Sequence, residues 1–377
     1  MEEKNLINHE SPMRIAQIMG KMENGGVESV VMNYYRHIDR TKIQFDFIVD
    51  SDSSCPQKKE ILSLGGNVYF VNPYQNIKNN MKDLECIFNE NKYEIVHSEL
   101  TTMSVFSLKA AKQCGIPIRI CHGHNTAGKG ETKKNILKYL LRPFSKIYAT
   151  NYFACSKYAG QWLFGRKILK NNNFMVLKNA IDVEKFKFNN NIRNDIRNKY
   201  NLNGKFVIGH VGRFCYQKNH NFLIDIFNEI YKLDKSAVLI LIGEGEFVNQ
   251  IKEKVNKLGL DDVVLFCGTC NNINEFYQAM DVFVLPSYYE GLGIVAIESQ
   301  ASGLFTICSD KTPIETKLCN NIEYMSLDNS ALYWANVILD KKNYIRKDES
   351  VFVKNNGYDI NTEAKKLEDF YFNIRKG

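Results

Sequence analysis

Short apolar runs alternate with amphipathic stretches along most of the chain. Runs at 13–18, 45–49, 67–71, 95–97 and 116–121 read as strands, and helical spacing at 27–37, 81–89 and 103–113 separates several of them. Further strands are expected at 152–155 and 174–177, the first followed by a helix that Ser156 caps. The pattern resumes with strands at 207–211, 237–242, 263–266, 282–285 and 305–308, and helices after His220, at 273–280, from Ile294 and at 362–375. Continuous apolar strands between helices predict parallel sheets covered on both faces. The chain is therefore expected to be α/β with two Rossmann-like domains, 13–188 and 206–358. The Asn-rich, charged stretch 189–205 reads as their linker, 1–12 as a loose tail, and 359–377 as a helix returning to the first domain. Ligands of such sheets bind beyond the C-terminal ends of the strands.

The loops at those ends carry the candidate chemistry. Residues 281–303, DVFVLPSYYEGLGIVAIESQASG, read as strand, glycine-bearing loop and helix, with Gly303 ending the helix. Glu290 stands in the loop and Glu298 in the helix. Gly291 and Gly293 let backbone N–H groups approach a phosphate at the helix N-terminus. A long ligand with hydroxyls at both ends and charge between them fits this stretch: a nucleotide diphosphate sugar. Gly291, Gly293 and Ala296 also satisfy G-x-G-x-x-A, a dinucleotide pattern, so an NAD-dependent two-domain oxidoreductase is the first alternative. That pattern normally follows its strand directly, whereas 286–290 intervene here.

Composition narrows the picture little. The 377 residues are 44% hydrophobic and 24% charged, ordinary values for a soluble globular protein. No apolar run approaches the ~20 residues of a membrane span, and the polar, acidic start MEEKNLINHESP does not read as a signal peptide. A cytoplasmic protein is expected. Ten cysteines form no framework, and the single CxxC, Cys267 and Cys270, has no partner at zinc spacing. The net charge of +7 suits anionic substrates or membrane surfaces. Much of it lies in 128–146, where Lys129, Lys133, Lys134, Lys138, Arg142 and Lys146 interleave with Ile136, Leu137, Leu140, Leu141 and Phe144. A membrane-surface helix has this pattern, and so does a helix with one face in a core.

Residues 281–303 resemble the E-x7-E signature of the retaining glycosyltransferases of family four, which have the GT-B fold. In that family the first Glu contacts the donor sugar and the second the ribose, positions matched by Glu290 and Glu298. Gly212-Arg213 with Lys218-Asn219 resembles the family's G-R-x(n)-K-N motif, implying that Arg213 and Lys218 neutralise the donor diphosphate. Gly243 begins a G-x-G loop, Gly268 and Thr269 are implied beside the base, and Gly291, Leu292 and Gly293 beside the donor. Gly25 and Gly26 resemble the N-terminal glycine loop that lies against the donor phosphates. Residues 178–182 resemble the family's PNGID entry to the interdomain linker, with Lys and Ala in place of Pro and Gly. In the family a His after this strand faces sugar and acceptor, so the loop CHGHNT implies that role for His122 or His124, with Asn125 beside them and His124 preferred for the catalytic position. The HGHN loop and residues 310–330 are closest to bacterial capsule and exopolysaccharide enzymes.

The resemblance implies a retaining transferase that takes a UDP-sugar and glycosylates a saccharide, expected from the resemblance and the basic segment to be lipid-linked at the inner membrane face. Chemistry is expected in an interdomain cleft, by front-face displacement with the leaving phosphate assisting. Catalysis is assigned to Glu290, His124, Arg213 and Lys218. No cofactor, metal or nucleic-acid partner is expected. A non-catalytic partner subunit of another transferase is the second alternative, opposed by the intact donor motifs.

Overall fold

The computed structural model describes residues 11–23, 25–124, 132–270 and 272–376. The chain forms two compact units, one comprising 1–180 with 360–377 and the other 181–359.

The first unit holds a seven-stranded sheet of β1 (Met13–Gly20), β2 (Ile43–Asp50), β3 (Asn67–Val71), β4 (Ile95–Ser98), β5 (Ile118–Gly123), β6 (Asn151–Ala154) and β7 (Phe174–Val176). Its spatial order is β3-β2-β1-β4-β5-β6-β7, and every pairing is parallel. The apolar alternation builds a separate core on each face. Helix Ile360–Lys376 completes one of them. Its Ile360, Ala364, Leu367 and Tyr371 recur at the spacing of one helical face and are almost fully buried. Burying each Ile or Leu there contributes about 1.5–3 kcal/mol.

The second unit repeats the plan with β8 (Phe206–Val211), β9 (Ala237–Ile242), β10 (Val264–Phe266), β11 (Val282–Leu285), β12 (Phe305–Ser309) and β13 (Ile322–Met325), ordered β10-β9-β8-β11-β12-β13. All its pairings are parallel. In each sheet the order reverses direction once, between β1 and β4 and between β8 and β11. The loops leaving those strands diverge at such a switch point, which opens a crevice for a ligand.

Two boundaries differ from the expectation. Residues 189–205 are not a linker but contain helix Asn190–Lys199, part of the second unit. The charges that suggested solvent are its anchors: Arg193 and Arg197 donate to the carbonyls of Gln278, Ala279 and Met280 and pair with Asp281. The units divide at Ala180–Ile181 rather than near 188, because Ile181, Val183 and Phe186 are buried in the second unit's core.

Candidate functional site

In the second unit, three loops leave adjacent strands and are stitched by their backbones. Gly212 N–H donates to Ile242 O, Phe214 N–H to Glu244 O, and Gly243 N–H to Gly268 O, at 2.8–2.9 Å. Glycine is required at 243: φ is +137°, and a Cβ would lie 2.2 Å from the Gly212 carbonyl oxygen. This places Gly212, Arg213, Gly243, Gly268 and Thr269 along one edge of the sheet.

Across the switch point, the loops after β8 and β11 meet. Tyr288 N–H donates to Gln217 O at 2.8 Å, and the Tyr216 and Tyr288 rings stack at 4.7 Å. Between them the Lys218 ammonium lies 2.6 Å from Glu290 Oε1. The same carboxylate accepts from Ser287 Oγ at 2.7 Å and from Gln217 Nε2 at 3.1 Å. Its side chain is 5% exposed and that of Lys218 14%, so this pair is shielded from bulk water. Gly293 then turns the chain at φ +78° into helix Ile294–Ala301, while Leu292 is buried and accepts from Thr316 Oγ1.

Glu298 projects from that helix and accepts from Tyr277 Oη at 2.9 Å. Burial raises its carboxyl to about 7, against the lowering effects of the Tyr277 hydrogen bond and the Lys218 charge. Lys218 thus acts electrostatically on both carboxylates of the E-x7-E stretch. Arg213 is exposed, and its side chain makes no hydrogen bond or ion pair with the described residues, while its carbonyl accepts from Cys215 N–H at 2.8 Å. Arg213 therefore has a free guanidinium in the loop whose Lys218 is paired with Glu290. Beneath this loop, His210 and His220 are buried, and Gly212 is the residue that fits over His210 Nε2.

The first unit holds a second cluster at its own switch point. Glu99 follows β4, and His122 lies in β5 with His124 just beyond it. The Glu99 side chain is 2% exposed. Its Oε2 accepts from His122 Nδ1 at 2.8 Å and from His124 Nε2 at 2.5 Å, and its Oε1 lies 3.4 Å from His97 Nε2. Burial opposes the ionised carboxylate, but the surrounding imidazole donors hold it well below the usual range. Burial lowers His97 and pushes His122 down to about 3, so these rings stay neutral. Asn125 lies outside the described residues. Gly25 and Gly26 open helix Gly26–His37 in this unit, where Gly25 O accepts from Ser29 Oγ.

Among the described residues, His97, Glu99 and His122 form the group that could gather a metal, their ligand atoms lying within 4.8 Å of one another. Glu99 Oε2 and His122 Nδ1 are 2.8 Å apart, a hydrogen-bond distance. Cys267 and Cys270 are both free thiols, and the Cys270 Sγ contact is with the Cys267 carbonyl.

The fold thus gathers Gly212, Arg213, Lys218, Gly243, Gly268, Thr269, Glu290–Gly293 and Glu298 on the strand ends of one unit, and Gly25, Gly26, His122 and His124 on those of the other. The sequence reading missed Glu99, His97, Tyr277 and Ser287. Glu99 had one available signal, a carboxylate directly after a short apolar strand.

Residues 192–325 match the family model described as glycosyl transferases group 1, and residues 24–185 the model described as glycosyltransferase family 4. The putative glycosyltransferase EpsF of Bacillus subtilis is 34% identical over 341 residues, covering 87% of each chain. The UDP-Gal:alpha-D-GlcNAc-diphosphoundecaprenol alpha-1,3-galactosyltransferase of Escherichia coli is 26% identical over 311 residues, covering 78% of this chain and 80% of that one. The crystal structure of Anabaena HepE in complex with UDP-glucose superposes with a TM-score of 0.78 at 18% identity, covering 96% of this chain and 100% of that one.

Proposed function

We propose that this chain, which belongs to the glycosyltransferases of group 1 and family 4, transfers a sugar from UDP to a lipid-linked saccharide with retention of configuration. The carrying observation is the cation pair on the second unit's strand ends. The Arg213 side chain has no partner among the described residues, and Lys218 is held only by Glu290. A diphosphate would meet Arg213 directly and draw Lys218 from the carboxylate. As the anomeric C–O bond to the phosphate breaks, its electron pair passes to the leaving diphosphate. Arg213 and Lys218 then stabilise the growing charge more than they stabilise the ground state. The acceptor oxygen bonds to the anomeric carbon on the same face, and its proton passes to the departing phosphate. Glu290 orients the sugar hydroxyls, and Glu298 accepts from the ribose.

Positive charge at the diphosphate is assigned to these side chains rather than to a metal. The acceptor is assigned to the first unit, around His124. A UDP donor and a lipid-linked acceptor accord with the name of the Escherichia coli relative. A role in surface polysaccharide synthesis at the inner face of the membrane accords with the exposed apolar side chains near residue 140 and the exposed Lys146 beside them.

Titration calorimetry with UDP, GDP, ADP and NAD tests the donor. The expected result is binding of UDP in preference to the others, with a loss of about 1.5–3 kcal/mol in Arg213→Ala, the range for a hydrogen bond to a charged group. Binding of NAD alone would sink the proposal.

A further inference from the structure

The hydrogen-bond chain through the first unit's cluster has one self-consistent proton assignment. Gln17 Nε2 donates to the Tyr371 hydroxyl at 3.4 Å. Tyr371 Oη lies 2.7 Å from His97 Nδ1, and burial holds this phenol well above its ordinary pKa, so the hydroxyl keeps its proton and donates. His97 then carries its own proton on Nε2, which lies 3.2 Å from His122 Nδ1 and 3.4 Å from Glu99 Oε1. His122 Nδ1 lies 2.8 Å from Glu99 Oε2, the stronger acceptor, so its N–H goes there. His97 Nε2–H is left to Oε1. His124 Nε2 lies 2.5 Å from Oε2 and donates as well. Each proton in this chain points toward one carboxylate, and the buried His97 and His122 rings that face it stay neutral.

Two acceptors remain over: His122 Nε2 and Gln17 Oε1 are buried without partners. Both residues line one small internal cavity, together with His97, Glu99 and Tyr371. It has room for about one water, whose two O–H groups would meet these two acceptors.

We infer that Glu99 is a positioning residue: its buried carboxylate locks His124 in the Nε2–H tautomer, leaving the Nδ1 lone pair to accept a hydrogen bond from a hydroxyl of the transferred sugar. This rests on the reading of His124 as the group that faces sugar and acceptor. Three observations carry it. Among the described residues Glu99 is the only carboxylate in the cluster and His124 Nδ1 has no partner, and the geometry about Glu99 dictates which ring nitrogen holds each proton. His124 is pinned on its other sides as well. Its backbone N–H donates to Thr101 Oγ1 at 3.3 Å, its carbonyl accepts from Cys155 Sγ at 3.2 Å, and its ring lies 3.9 Å from that of His122. Thr101 itself is held at φ +53°, a conformation that a β-branched residue adopts only under constraint. A ring fixed on so many sides has little left to choose but its tautomer, and the carboxylate decides that.

The test is nitrogen-15 spectroscopy of the full chain labelled at histidine, read at pH 7 without substrate. The wild-type protein should show His97 and His124 protonated on Nε2 and His122 on Nδ1. In Glu99→Gln the amide offers a donor as well as an acceptor, so His124 should lose its single tautomer. Hydrolysis of UDP-glucose and UDP-galactose, with water in place of the acceptor, should fall about 100-fold in that variant, the loss expected when a contact that orients the reacting sugar is misplaced, while calorimetric affinity for UDP is unchanged. An Nδ1–H or doubly protonated His124 in the wild type would overturn the inference even if Glu99→Gln failed to fold. So would an unchanged His124 tautomer in a folded Glu99→Gln. Failure of the wild type to bind UDP would instead overturn the donor reading and leave the tautomer result standing.

Discussion

At the scale of single residues, the Lys218–Glu290 pair has two consequences of opposite sign. The carboxylate holds the ammonium at 2.6 Å where little water reaches, so it competes with any phosphate for the same charge. Glu290→Gln should therefore bind UDP, which lacks the sugar, several-fold tighter than wild type, and yet transfer more slowly. Lys218→Ala should bind UDP more weakly by about 1.5–3 kcal/mol. Calorimetry paired with a donor-hydrolysis assay checks both, and weaker UDP binding in Glu290→Gln would contradict the competition. His220 makes a different case. It stacks on Phe214 at 4.0 Å, both its ring nitrogens are buried without partners, and burial pushes it down to about 2 from an ordinary 6.5. A depressed histidine means that the unfolded chain binds the extra proton first. Stability is then intact above about pH 6.5 and falls as the pH drops below it, by about 1.4 kcal/mol per pH unit for each such group. His220→Phe keeps the ring stack and should flatten the acid limb of a denaturant-midpoint profile by roughly that slope between pH 6 and 4. An unaltered slope would mean that His220 is not buried neutral.

At the scale of elements, most of the framework was legible in the chain because its strands are buried on both faces. Runs such as 237–242 and 282–285 match strands β9 and β11, and the stretch from Ile294 to Ala301 is helical as read. Parallel strands leave no polar face to blur their ends. The reading failed where polarity was taken for exposure, as in 189–205, whose arginines are spent on carbonyls of the next element. It also missed strand β13 and helix Ala331–Leu339, which are short or apolar all round. Site residues were found where a loop motif names them and missed where only topology does. Glu99 and His124 are 25 residues apart and meet because β4 and β5 are neighbours in the sheet. Gly243 joins the two levels. Gly243→Ala would drive a Cβ into the Gly212 carbonyl at a φ reserved for glycine, separating the loop of Arg213 from that of Gly268. A cost of about 1–3 kcal/mol is expected for such strain, read as a lowered denaturation midpoint together with weaker UDP binding. Full retention of both would show that the loops yield independently.

At the scale of the whole molecule, the question is what would bring a protein with no helix long and apolar enough to cross a membrane, among its described residues, to the lipid-linked acceptor proposed for it. Helix Thr132–Leu141 and the turn after it answer the amphipathic ambiguity left by the sequence. Ile136, Leu137, Tyr139, Leu140, Phe144 and Ile147 are each about half exposed or more, so the apolar face is not spent on a core. Lys146 is exposed beside them, and Arg142 packs over the Trp162 ring at 5.5 Å, in a chain whose net charge is +7. Apolar side chains flanked by cations fit an anionic lipid surface, where each basic residue contributes about 1 kcal/mol and salt weakens the sum. The protein should therefore sediment with vesicles containing anionic phospholipid at low ionic strength, bind neutral vesicles weakly, and release as salt rises. Leu137→Ser with Leu140→Ser should lower binding at least tenfold, since burying one leucine contributes about 1.5–3 kcal/mol, while UDP affinity stays unchanged. Equal binding to neutral and anionic vesicles would leave only the apolar face at work. No binding to either would mean that the acceptor lipid must be drawn out to the enzyme by other means, and this helix would then need another occupant for its exposed face.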